Sequence, residues 1–235
     1  MRLVRALPGG ESTRLASIGF SFDAGFRAAV DVLGAEMVEA EFDVRALPDR
    51  VPHLLDVDCP GEWDVLVCSE VIEHTLQPLA LLLGCRRLLR PGGELLLTTN
   101  CASFVGDLLK LASGRHNVEA LQRSHILVDD QWRPHMRLYL LAELRELLEL
   151  CGLSTLEAFH FDNGNVYAGA KGVATRLVRA TAAQVPSLRS HLFIRAVASG
   201  EQQPAALLRT AQSFGQFGLP VPRSIAASPS ATALG

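Results

Sequence analysis

The chain has 235 residues, 49% of them hydrophobic and 20% charged, enough apolar material for one large buried core and too much for a disordered segment. Its 22 Lys and Arg against 25 Asp and Glu leave a formal net charge of -3, without the basic surplus of a dedicated nucleic-acid or membrane-surface binder. Cys59, Cys68, Cys85, Cys101 and Cys151 stand apart from any CxxC pair. No apolar run approaches the roughly 18 residues of a membrane span, and residues 1–10 break too early for a signal-peptide core. Reduced thiols and a cytoplasmic location are the expectation.

Residues 14–19 read as a first strand ending at Gly19, followed by a loop and a helical pattern over 26–33 that Gly34 stops. A second strand is expected over 36–42 and a third over 63–69 (WDVLVCS). The leucine-rich stretch 79–89 is of helix length, closed by Arg90-Pro91-Gly92-Gly93, which cannot continue a helix. Residues 94–99 (ELLLTT) form the next strand, ended by Asn100. Strands alternating with helices predict an α/β fold whose mostly parallel sheet is covered on both faces.

After Asn100 the periodicity weakens. Residues 101–139 read as an insertion carrying His116, His125, Trp132 and His135, and segments of this length beyond a strand's carboxyl end serve as lids or substrate walls. Residues 140–151 (LLAELRELLELC) then form an amphipathic helix stopped by Gly152. Strands over 153–161 and 191–197, joined by a helix around 174–184, complete a domain spanning 1–200. Residues 201–235, rich in Ala, Pro, Ser, Gln and Gly with Glu201, Arg209 and Arg223 as their charges, read as a flexible tail holding one short helix near 205–213.

The stretch 63–100 (WDVLVCSEVIEHTLQPLALLLGCRRLLRPGGELLLTTN) resembles the middle of class I S-adenosylmethionine-dependent methyltransferases, through Asp64, Glu73-His74, Leu89-Arg90-Pro91-Gly92-Gly93 and Thr99-Asn100. A second run, Arg133-Pro134-His135-Met136-Arg137-Leu138-Tyr139 with Glu143-Leu144 and Cys151-Gly152-Leu153, is similar to a segment of many bacterial members. The resemblance covers about residues 14–198. It implies a Rossmann-like, doubly wound sheet of about seven strands, S-adenosyl-L-methionine as cofactor, and a small-molecule or sugar acceptor, with O-methylation the leading activity. A homodimer or partner subunit is compatible with it. The family's glycine loop is altered: Ser17 stands where an acid is usual, and Gly19 and Gly25 are the glycines retained. The phenylalanines between them either pack below the loop or obstruct the cofactor's methionine end. A different class of protein therefore stays open, a non-catalytic methyltransferase-like partner or activator.

In an open α/β sheet the ligand lies beyond the strands' carboxyl ends. Gly19, Phe20, Gly25, Ser69 and Glu70 would line the cofactor. Glu41, or Glu39 in competition, would accept the ribose hydroxyls, and Asp58 or Asp56 lies where the family meets the adenine amine. Glu70, Glu73 and His74 share one face if a helix begins at the strand end. Three readings of this cluster stand together. His74 takes a proton from an acceptor hydroxyl, with His135 the second base candidate. Alternatively Glu70, Glu73 and His74 hold a divalent cation, as the similar Glu-x-x-Glu-His run of ubiquinone-pathway O-methyltransferases suggests. Or Glu73 and His74 simply pin the chain to its neighbours.

Overall fold

The computed structural model describes residues 13–18, 38–42, 55, 60–75, 77–115, 135–163, 172–199, 204–216 and 221–226. Six strands form one sheet: β1 (Arg14–Ile18), β2 (Val38–Phe42), β3 (Trp63–Ser69), β4 (Leu89–Asn100), β5 (Leu153–Phe161) and β6 (His191–Ala198), in the order β2-β1-β3-β4-β6-β5. The pairs β2–β1, β1–β3 and β3–β4 are parallel, and β6 runs antiparallel between β4 and β5. The helix expected over 26–33 lies outside the described residues.

β3 is central, and Val65, Leu66, Val67 and Cys68 are all buried, as expected of a parallel strand covered on both faces. Alternation divides the core in two. Ala16, Ile18, Leu66, Cys68, Leu97 and Ile194 face a large cluster that includes Leu81 and Leu88 of α1 (Pro78–Leu88) and Leu144 and Leu148 of α3 (Leu141–Leu150). Leu15, Val65, Val67, Leu96 and Phe193 point to the opposite face, where Phe159 stacks on Phe193 at 4.8 Å. A one-residue slip of any of these strands would exchange the two sets.

α1 opens on Pro78, whose missing N–H is harmless in a first turn, and ends where Leu89 turns extended. Leu89 already pairs with Trp63, the Pro91-Gly92-Gly93 excursion follows inside the strand, and Glu94 rejoins the ladder opposite Val65. The glycine turn is thus a bulge within β4. Gly92 has φ 78, and a Cβ on Gly93 would lie 2.8 Å from the Trp63 carbonyl oxygen. α3 is closed by Gly152 at φ 75, the left-handed stop its sequence announced.

The insertion begins with α2 (Val105–Ala112). It returns through an isolated bridge between Cys101 and Tyr139. α4 (Val173–Gln184) links β5 to β6. Residues 204–216 carry the helix expected near 205–213. They form α5 (Pro204–Gln216), which sets Ala206 and Ala211 into the main core, and Ile225 of the short α6 (Arg223–Ala226) joins them. A composition rich in alanine and poor in charge reads as low complexity, yet alanine is also the side chain that allows a helix to approach a packed core closely. Cys68, Cys85, Cys101 and Cys151 are free and buried. No helix among the described residues is long and apolar enough to cross a membrane.

Candidate functional site

Strand order reverses between β1 and β3, so the carboxyl ends of β1, β3 and β4 frame the crevice where an α/β sheet receives its ligand. Antiparallel β6 contributes its first residue to the same edge: Asn100 of β4 pairs with His191, and so does Phe161 of β5. A row of polar side chains runs along this edge.

β3 ends with the Ser69 hydroxyl 2.8 Å from Thr98 Oγ1, and the next residue, Glu70, takes a left-handed backbone at φ 53. Its N–H donates to the Thr98 carbonyl at 3.0 Å. The Glu70 carboxylate accepts from Asn100 Nδ2 at 3.1 Å, and its Oε2 lies 3.5 Å from His191 Nε2. Glu73 is fully buried; its carboxylate accepts from Thr99 Oγ1 at 2.7 Å and from Asn100 Nδ2 at 3.1 Å. One amide therefore bridges two carboxyl groups.

Their environments pull these acids apart. Burial, reinforced by the neighbouring Glu70 charge, pushes Glu73 up to about 8 against the Thr99 hydrogen bond. Burial also acts to raise Glu70, but the hydrogen bond and charge of His191 outweigh it and hold Glu70 below the ordinary carboxylate value. A protonated carboxyl beside an ionised one is an arrangement that can store and move a proton, and the two titrate as a pair.

The end of the insertion is tied to the same place. The Glu73 carbonyl accepts from the Met136 N–H at 2.7 Å and the Arg137 N–H at 3.2 Å. Tyr139, fully buried, donates its hydroxyl to the Ile72 carbonyl at 3.3 Å. These bonds bring the His135 ring to 4.8 Å from that of His74. Glu73, His74 and His135 each offer one ligand atom, all within 4.8 Å of one another. A carboxylate with two imidazoles matches a divalent transition metal better than magnesium.

Two expectations change. Glu70, Glu73 and His74 do not share a helical face, because only Ile72–His74 form a single 3-10 turn and Glu70 precedes it in left-handed geometry. In the metal-capable group His135 stands where Glu70 was expected, and Glu70 faces His191. Glu41 sits in β2 in register with Ser17, two positions nearer the carboxyl edge than Glu39, which pairs with Leu15. Gly19, Phe20, Gly25, Asp56, Asp58, His116 and His125 lie outside the described residues. His191 and Ser190 escaped the sequence reading, while Thr99 and Tyr139 entered it as motif residues without a role at the site. For His191 a signal existed: a polar Ser-His pair opening an apolar final strand comes to the ligand edge when that strand is antiparallel.

Comparison with known proteins agrees with this fold. Residues 19–158, more than half of the chain, match the family model described as a methyltransferase domain. A ubiquinone biosynthesis O-methyltransferase of Xanthomonas campestris is 37% identical over 62 residues, 26% of this chain and 24% of that protein. The enzyme of the same name from Xylella fastidiosa is 27% identical over 116 residues, 49% of this chain and 42% of that one. The matches thus span less than half the length of these curated relatives. A solved structure from Listeria monocytogenes, assigned to the S-adenosylmethionine-dependent methyltransferases, shares the fold at a TM-score of 0.53 with 12% identity, over 83% of this chain and 94% of that one.

Proposed function

The chain belongs to the methyltransferase domain family, the class I S-adenosylmethionine-dependent group, and on that premise we propose that it transfers a methyl group to a hydroxyl of a small molecule or sugar. The observation that carries the acceptor chemistry is the Glu73, His74 and His135 cluster beside the sheet's carboxyl edge. The relatives named as O-methyltransferases support an oxygen acceptor.

The cofactor would be held by Gly19, Phe20 and Gly25 after β1, by Glu41 toward its ribose, by Asp58 toward its adenine, and by Ser69 and Glu70 after β3. The donor set fits. Parallel register sets Ser17 beside Glu41 and Ile18 beside Cys68, so the carboxyl ends of the three strands lie side by side. When bound, S-adenosyl-L-methionine supplies an electrophilic methyl on a sulfonium. The protein's own task is then alignment, exclusion of water and removal of one proton. His74 or His135, both half-buried, receives the acceptor's hydroxyl proton. Glu73, clamped by Thr99 and Asn100, holds a carboxylate oxygen within 4.8 Å of both imidazoles.

A second reading rests on the same cluster: Glu73, His74 and His135 hold a divalent cation that polarises the acceptor hydroxyl. Calorimetry with S-adenosylhomocysteine tests the cofactor reading. Glu41→Ala is expected to weaken binding at least about tenfold, since it removes a charged acceptor from two hydroxyls. Absence of wild-type binding at millimolar ligand would instead favour a non-catalytic partner protein. Activity that survives EDTA but falls in His74→Ala and His135→Ala assigns the histidines as bases; loss in EDTA with recovery on added metal assigns the cation.

A further inference from the structure

Glu70 is the one non-glycine residue with positive φ among the described residues. A left-handed backbone is unfavourable for a side-chain-bearing residue and persists only where the surroundings over-determine it. Here they do so from two sides: the Asn100 amide grips the carboxylate at 3.1 Å, and His191 Nε2 approaches it at 3.5 Å from β6. His191 is itself fixed. Its Nδ1 is 2.7 Å from the Ser190 hydroxyl oxygen, which also accepts from the Asn163 N–H at 3.2 Å, while the Ser190 N–H donates to Asp162 Oδ1 at 3.1 Å. The chain of contacts thus crosses from the end of β5 through the start of β6 to the end of β3. His191 and Ser190 are only 4% and 3% exposed, so neither meets a substrate directly. What they can influence is the turn that Glu70 makes.

We propose that His191 is a positioning residue for the cofactor site, acting through Glu70 to hold the left-handed turn that follows β3. The proposal rests on the reading that this turn faces S-adenosylmethionine. Only an antiparallel β6 allows it, because a parallel strand would carry its first residue to the far edge of the sheet.

His191→Leu keeps the buried volume and removes the nitrogen, whereas His191→Gln keeps a polar group near the Nε2 position. In the full-length protein, His191→Leu is expected to weaken S-adenosylhomocysteine binding about tenfold and to speed amide exchange at Glu70 and its neighbours by a similar factor. His191→Gln should return both to within about threefold of wild type. Ser190→Ala, the gentler variant should His191→Leu fold poorly, should move both in the same direction by less. In a Glu70→Ala background the effect of His191→Leu on affinity should vanish, which a merely structural histidine would not do. An equal loss in that background, or unchanged exchange with binding retained, overturns the role of His191 alone. A wild-type protein that binds no S-adenosylhomocysteine overturns the cofactor reading and this proposal with it.

Discussion

The two edges of the sheet use the same charged residue types to opposite ends. At the amino edge two ion pairs are open to water. Arg14 meets Glu62 at 3.0 Å with both side chains 42% exposed, and Arg90 reaches Asp64 from a largely exposed position. Such pairs are screened and contribute about 0–1 kcal/mol each. At the carboxyl edge Glu73, Thr99 and His191 are shut away from solvent, where a carboxyl costs several kcal/mol unless hydrogen bonds replace its water. Polar groups gathered in a buried position, and there shifted in protonation, are the physical mark of a site. The amino edge fastens strands together; the carboxyl edge gathers the groups proposed to act in methyl transfer.

Substitutions can break that contrast. The largest effect is expected from Glu73→Ala, which strands the buried Thr99 hydroxyl without its acceptor, leaves the Asn100 amide with Glu70 alone, and should cost about 3 kcal/mol in urea unfolding. Gly93→Ala comes next, on the order of 2 kcal/mol, since the added methyl would press on the Trp63 and Arg90 carbonyl oxygens at 2.8 and 3.0 Å. It would show that the amino edge tolerates lost charge and not added bulk.

A smaller, pH-dependent effect follows from Glu73. Its folded value near 8 lies above the ordinary 4.5, so the folded state holds this proton more tightly. The stabilisation is complete below about pH 4.5 and is lost as pH rises toward 8. Glu70, shifted the other way, contributes stability that is present above its unfolded value and lost on acidification. Unfolding measured across this window should show wild-type stability falling from Glu73's titration, and the permanently neutral Glu73→Gln should flatten that decline. The smallest effect is expected from Glu62→Gln, below about 0.5 kcal/mol and vanishing in molar salt. A Glu62 effect as large as that of Glu73 would erase the distinction between the edges.

Much of the fold was legible because its signals are local. The run WDVLVCS can only be an interior strand, LAELRELLEL carries a helix's apolar stripe, and Gly152 stops it. The helix near 205–213 was legible and its packing was not: the burial of Ala206 and Ala211 depends on the core they meet, which composition does not express. The site was half legible. Glu73, His74 and His135 could be singled out by residue type and by resemblance, but their grouping depends on the Met136 and Arg137 N–H groups reaching the Glu73 carbonyl. The expected sharing of a face by Glu70 failed because helical spacing was applied to a residue whose backbone is left-handed.

What the sequence by itself determined was the alternation of strands and helices, the family resemblance carried by residues 63–100, and the choice of acids and histidines near strand ends. These follow from periodicity and chemical type, which neighbouring residues settle among themselves. Only the tertiary structure decided that Asn100 would bridge two carboxyl groups, that His135 would displace Glu70 beside His74, and that His191 would arrive at the ligand edge. Each of those contacts joins positions far apart in the chain, through strand order and the reversed direction of β6, and free energies of that kind exist only once the sheet has closed.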